Sequence, residues 1–117
     1  MTNDLSNKSC QPPKKGSLPL SGNKLNDHLT KLPGWHLTPD HLMIEREFQF
    51  ADFVSALQFT NRVGELAETE NHHPNLCLHD WNKVTITTTT HSIGGLSQND
   101  FILAAKINEL VDQIQNS

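Results

Sequence analysis

Tyrosine is absent from this chain, and no stretch of it approaches the apolar length that a membrane-spanning helix needs. Nor is there an apolar segment of the signal-peptide kind near the N-terminus, so no membrane partner is expected and the expected location is cytoplasmic. Cysteine is scarce as well. Cys10 and Cys77 are the only two, which makes a disulfide framework unexpected and suits free thiols in a reducing compartment. Lysine and arginine together number 9 against 13 acidic residues, leave a formal charge of -4, and form no cluster. A mildly acidic domain without a basic face holds a phosphate backbone poorly, so no direct nucleic-acid binding is expected. Without tyrosine, the core falls to Leu, Ile, Val and five Phe within an apolar fraction of 35%. At 117 residues this is one domain with a single modest core.

What is present divides into a tail and a domain. Residues 1–20 are polar and broken by Pro12, Pro13 and Gly16, a composition that buries too little apolar surface to offset its ordering entropy. They are read as a flexible N-terminal tail, and residues 21–117 as the domain. Ser21 to Leu32 is a short helix candidate ended by Pro33-Gly34. Trp35 to Leu37 and Leu42 to Phe50 read as strands around a Thr38-Pro39-Asp40 turn. In the second strand Leu42, Ile44, Arg46, Phe48 and Phe50 share one face, the alternation of a sheet covered on one side.

Asp52 stands where a carboxylate favours a helix start, and Phe53, Ala56, Leu57, Thr60, Val63 and Ala67 form the expected buried stripe of a helix running to about Glu70. Pro74 forbids its continuation. Leu76 to Leu78 is a short strand candidate in which Cys77 looks like a core position, and Asp80-Trp81-Asn82 looks like a turn. Val84 to Thr90, rich in β-branched residues, is a strand. After Gly94-Gly95, the capping box Ser97-Gln-Asn-Asp100 starts a last helix with Leu103, Ile107, Leu110 and Ile114 on its buried stripe. The order α-β-β-α-β-β-α implies an α+β fold, a four-stranded antiparallel sheet with helices packed on one face. An uncovered sheet edge would be closed by a dimer that extends the sheet.

Seven histidines stand out against the modest charge, and three of them bracket one polar segment: His72, His73 and His91, with Glu68 before them and Trp81 between. Histidine gives and takes protons near neutrality, so the set suits proton transfer on a small, flat, polar molecule. Each residue also has a plainer reading. Glu68 equally fits a solvated helix position, His72-His73-Pro74 a helix-terminating loop, Trp81 a turn-flanking core aromatic, His91 a surface residue, and Asp100 the N3 carboxylate of a cap. Metal ligation by His72, His73, His79 and His91 is not expected, because adjacent histidines on extended backbone diverge and the spacing fits no zinc pattern. His79 reads as a surface or strand-end residue.

The ordered series Glu68-x3-His72-His73-Pro74-x6-Trp81-x9-His91-x8-Asp100 resembles the signature of the pterin-4a-carbinolamine dehydratases. Gly34-Trp35, Phe48-x-Phe50-x-Asp52-Phe53, Asn82-Lys83-Val84-x-Ile86 and Gly94-Gly95-Leu96-x3-Asp100 extend the likeness from about residue 24 to 115. The resemblance implies the same α+β fold, assembly as a homodimer or homotetramer, and a pterin substrate. The implied reaction dehydrates 4a-hydroxytetrahydropterin to the quinonoid dihydropterin, recycling tetrahydropterin for aromatic amino acid hydroxylases, with no cofactor of its own. It implies His72 and His91 as proton donors or acceptors, His73 as a pterin-binding residue that assists as base, and Glu68 as the carboxylate that orients a histidine. Pro74, Trp81 and Asp100 would complete the substrate-binding set, Asp100 with the least weight because the cap explains it. The family also holds members that serve as dimerisation cofactors for a transcription factor, so a non-catalytic binding module of the same fold is the alternative. A scaffolding copy would have no need of the intact histidine set.

Overall fold

In the computed structural model, which describes residues 4–115, the Asp52 side chain accepts a hydrogen bond from the Ser55 backbone N–H and starts the longest early helix. The elements in chain order are α1 (Gly22–Leu29), β1 (His36–Leu37), β2 (Ile44–Gln49), α2 (Phe53–Glu70), β3 (Asn75–His79), β4 (Lys83–Thr88) and α3 (Gln98–Gln115). Short 3-10 turns at Asp4–Asn7 and His91–Ile93 complete the set. The four strands form one antiparallel sheet, as the element order implied, and they lie in the order β1-β2-β4-β3.

Register decides which face each residue serves. Ile86 on β4 stands between Arg46 on β2 and Leu76 on β3, while Val84 stands between Phe48 and Leu78. Ile44, Val84 and Ile86 are fully buried on this face, and Phe48 nearly so. Against it, Phe59 of α2 lies 4.9 Å, ring to ring, from both Phe48 and Phe50. Truncating a fully buried Phe of this kind costs about 3–5 kcal/mol. Trp35 meets Phe48 edge-on and donates its indole N–H to Asn108 Oδ1 of α3 at 2.8 Å, so α3 and the first strand pair are joined by a polar as well as an apolar contact.

Three expectations need correction. The buried stripe of α2 is Ala56, Phe59, Val63 and Ala67, whereas Phe53 and Leu57 remain 48% and 41% exposed. The sheet meets the helix on the flank centred on Phe59, so the neighbouring flank stays open. Cys77 is exposed rather than in the core. With Asn75 and His79 it pairs opposite Thr87, Thr85 and Lys83, on the sheet face turned away from Val84 and Ile86. Trp81 is 61% exposed at the β3–β4 turn, where both it and Asp80 adopt positive φ (55° and 47°).

The segment read from composition as a flexible tail runs, over residues 4–20, along the domain. Leu5 is 1% exposed within the core cluster, and the 3-10 turn that carries it packs on α3. Ser6 Oγ donates to Glu109 Oε1 at 2.7 Å, and the Leu20 N–H donates to the Leu96 carbonyl at 2.8 Å. Average composition conceals this because one apolar anchor and a few backbone hydrogen bonds hold the strand of chain between them. Cys10 is part of the same contact. Burial, reinforced by the neighbouring Glu70 carboxylate, pushes its thiol up to about 12, which keeps it protonated and unreactive.

Candidate active site

The site is built where α2 stops. Asn71 takes the left-handed conformation (φ 53°), its N–H capping the Ala67 and Glu68 carbonyls, and the chain leaves the helix toward Pro74. His72 and His73 follow, and burial separates them. The His72 side chain is turned inward and 11% exposed. The His73 side chain is 56% exposed.

Asp100 waits beneath His72. It is 0% exposed, and its two carboxylate oxygens accept four hydrogen bonds. Oδ1 takes His72 Nε2 at 2.6 Å and Thr88 Oγ1 at 2.7 Å; Oδ2 takes Thr90 Oγ1 at 2.7 Å and the Ser97 backbone N–H at 3.0 Å. Because Thr90 donates to the carboxylate, Ser97 Oγ donates in turn to Thr90 Oγ1 at 2.7 Å. The carboxylate half of the expected capping box is therefore present, with Ser97 Oγ accepting from the Asn99 N–H instead of the Asp100 N–H, yet it accounts for only one of the four bonds. A carboxylate that accepts from Nε2 leaves the proton there, so Nδ1 is the His72 nitrogen left for chemistry.

His73 has a carboxylate of its own. Its Nε2 is hydrogen-bonded to Glu68 Oε2, one helical turn back on α2, and the Glu68 side chain is 77% exposed. His91 arrives from the other side of the site, at the start of the 3-10 turn that follows β4. A tight loop aims it. Thr90 and Gly95 form a backbone bridge, Gly94 closes the turn at φ 74°, and a Cβ on Gly95 would meet the Pro19 ring at 2.9 Å. Thr89 Oγ1 ties the same strand end to the Leu42 carbonyl at 2.7 Å.

These elements enclose an open cleft of about 260 Å³ lined by Pro13, Asn71, His72, His73, Thr89, Thr90, His91 and Ser92. That volume falls just below the range of about 300–1,000 Å³ for small-molecule sites. The structure thus brings His72, His73 and His91 to one cleft, with Asp100 and Glu68 each behind one histidine. It does not bring Trp81 or Pro74 into the lining. His79 is elsewhere, on the outer sheet face, where it bonds Asp80 Oδ2 at 2.8 Å and Thr85 Oγ1 at 2.7 Å. The hydrogen bond from His79, then its charge, holds the Asp80 carboxyl below the usual aspartate range. Among the described residues, no group of three or more His, Cys, Asp or Glu side chains is placed to hold a metal ion.

Sequence reasoning passed over Thr88, Thr90, Ser97 as a hydroxyl donor, Asn71 and Pro13. A signal existed for two of them. Thr88 and Thr90 continue the inward face of Val84 and Ile86, and buried hydroxyls there require a buried acceptor. Pro13 carried no such mark, since nothing local shows where a tail lands.

The family model described as pterin 4 alpha carbinolamine dehydratase matches residues 18–110. The chain belongs to that family. A provisionally named pterin-4-alpha-carbinolamine dehydratase of Rubrobacter xylanophilus is 46% identical over 107 residues, covering 92% of this chain and 98% of its own. The mitochondrial pterin-4-alpha-carbinolamine dehydratase 2 of Arabidopsis thaliana is 46% identical over 110 residues, 92% of this chain and 59% of its own. Among solved structures, a transcriptional coactivator/pterin dehydratase from Brucella melitensis superimposes with TM-score 0.74 at 33% identity, covering 79% of this chain and 97% of that one. A pterin dehydratase-like protein described as a RuBisCO assembly factor in the alpha-carboxysome shares the fold at TM-score 0.56 and 20% identity, over 66% and 88% of the two chains. The fold is shared in outline with both solved structures. No helix among the described residues is long and apolar enough to cross a membrane.

Proposed function

We propose that this protein dehydrates a pterin-4a-carbinolamine to the quinonoid dihydropterin by histidine acid–base catalysis. The observation that carries this reading is the convergence of His72, His73 and His91 on one cleft, with His72 seated on the buried Asp100. Loss of water breaks the C4a–O bond. One proton must reach the departing hydroxyl and one must leave the neighbouring ring nitrogen, so the reaction needs an acid and a base on one small cleft and no change of oxidation state. His72 Nδ1 and His91 are the groups that exchange these protons. His73, more exposed and held by Glu68, binds the pterin and assists as base. Asp100 acts through His72, fixing its tautomer and ring plane and stabilising the imidazolium when it forms. Glu68 does the same for His73 more weakly, in water. Each well-placed proton-transfer group contributes about 10²–10⁴-fold to the rate. A separate two-electron reduction of the product then regenerates the tetrahydropterin that the aromatic amino acid hydroxylases use, and the native assembly is a homodimer or homotetramer.

The test is the dehydration of 4a-hydroxytetrahydropterin, generated in situ and followed by ultraviolet absorbance, with wild type and the His72→Ala variant. Wild type is expected to accelerate the step, and the variant to lose about 10²–10⁴-fold while keeping its fold. Full activity in His72→Ala would remove His72 from the mechanism. No acceleration by folded wild type would leave the binding-module alternative, in line with the coactivator role named for the Brucella relative.

A further inference from the structure

The family match begins at residue 18, yet chain upstream of it reaches the cleft. Leu5 anchors this strap in the core. The Cys10 N–H then donates to Glu70 Oε1 at 2.8 Å. Next, the Gln11 N–H donates to Asn99 Oδ1 at 2.9 Å while the Asn99 amide donates to the Gln11 carbonyl at 2.6 Å. This two-bond clamp gives Gln11 the pairing a neighbouring strand would supply. Pro12 and Pro13 have φ locked by their rings, so the direction of the chain beyond the clamp is restricted. The anchors are also well chosen. Glu70 lies two residues before His72 and Asn99 lies one before Asp100, so the strap is fastened to the two segments that carry the hydrogen-bonded His72–Asp100 pair.

Of the eight residues lining the cleft, only Pro13 has a side chain without a polar atom. A flat bicyclic ring has two faces that gain from contact with carbon, and polar groups at its edge serve orientation instead. Trp81, the aromatic of the substrate-binding set that the resemblance implied, lies outside the lining and is 61% exposed. We propose that Pro13, held over the cleft by the Asn99 clamp, is the apolar wall against which the pterin ring packs, making it a substrate-positioning residue of this site. The inference rests on the dehydratase reading and extends it to a segment outside the family match.

Two variants of the full chain test it. Pro13→Ala removes most of the ring; Gln11→Pro removes one N–H of the clamp and leaves α3 untouched. Pro13→Ala is expected to raise KM about three- to tenfold with kcat within about twofold, since lost apolar contact weakens binding rather than proton transfer. Gln11→Pro is expected to move KM in the same direction. It should also speed the modification of His72 by diethyl pyrocarbonate, read site by site by mass spectrometry. If wild type turns over and both variants match it in KM and in His72 modification, the wall is wrong and the dehydratase reading stands. A loss confined to kcat would also overturn the wall, because it would place Pro13 in the chemistry or the fold. Wild type without turnover would sink the dehydratase reading itself, with the modification rates still reporting whether the strap covers the cleft.

Discussion

His72 and His73 are neighbours in the chain, and each is bonded through Nε2 to a carboxylate, but the two pairs live in different media. Asp100 is fully buried and its carboxylate accepts four hydrogen bonds, whereas the Glu68 side chain is mostly in water and, among the described residues, its carboxylate bonds only His73. A buried carboxylate with both oxygens occupied cannot swing, so the imidazole it holds is fixed in plane and tautomer. An exposed pair is screened and shares its geometry with solvent, so it biases its histidine without fixing it. Under the proposed function the doublet would divide the labour of the site: the ring of one histidine is held in place, while the other adjusts to what binds.

The sharpest way to break this contrast is Asp100→Asn. The amide would present N–H groups where donors already converge, and it should lower stability by about 3 kcal/mol or more while cutting turnover at least about 100-fold. Urea unfolding and dehydration kinetics on the same preparation would check both. A variant of ordinary stability and activity would mean that the buried network is not what holds His72. The effect far exceeds that of a weakened cap alone, which is all the spacing Ser97-x-x-Asp100 suggested.

Glu68→Gln should do much less, about a two- to fivefold fall in kcat/KM, as befits an exposed pair. Added salt should lower wild-type activity by a similar factor and leave the variant nearly unchanged. If Glu68→Gln were as damaging as Asp100→Asn, the division between the two histidines would fail.

The smallest effect concerns a carboxylate that serves only the fold. Asp52 is held below the usual aspartate range by the Ser55 N–H it accepts, with no part in the cleft. Its contribution to stability is complete above the unfolded value near about 3.9 and is lost as pH falls through the lower folded value. Asn caps about as well and does not titrate. Asp52→Asn should therefore match wild type in unfolding midpoint near neutrality and overtake it in acid, with turnover unaffected. Parallel midpoints for the two proteins down to pH about 2 would count against the assignment.

Much of the architecture was legible because it is local. The alternation through Ile44, Phe48 and Phe50, the cap at Asp52, the stop at Pro74 and the β-branched run from Val84 each report a period or a terminus that a few consecutive residues settle. The errors came where a neighbouring element decides. Which flank of α2 is covered, and hence that Phe59 rather than Phe53 is buried, depends on how the sheet meets the helix. Cys77 looked buried between two leucines, but on an edge strand the odd positions face away from the helices. Trp81 was an aromatic in the right motif and the wrong place.

The candidate site shows the same boundary. The sequence by itself determined that two histidines would follow the end of a helix stopped before Pro74, and that a carboxylate would begin α3. Only the tertiary structure decided that this carboxylate would be the one beneath His72, 28 residues away, and that Pro13 would border the cleft. Dihedral preferences and side-chain periodicity act within a few residues and can be read along the chain. Burial, and the hydrogen bonds that burial makes obligatory, depend on segments that meet only when the chain has folded.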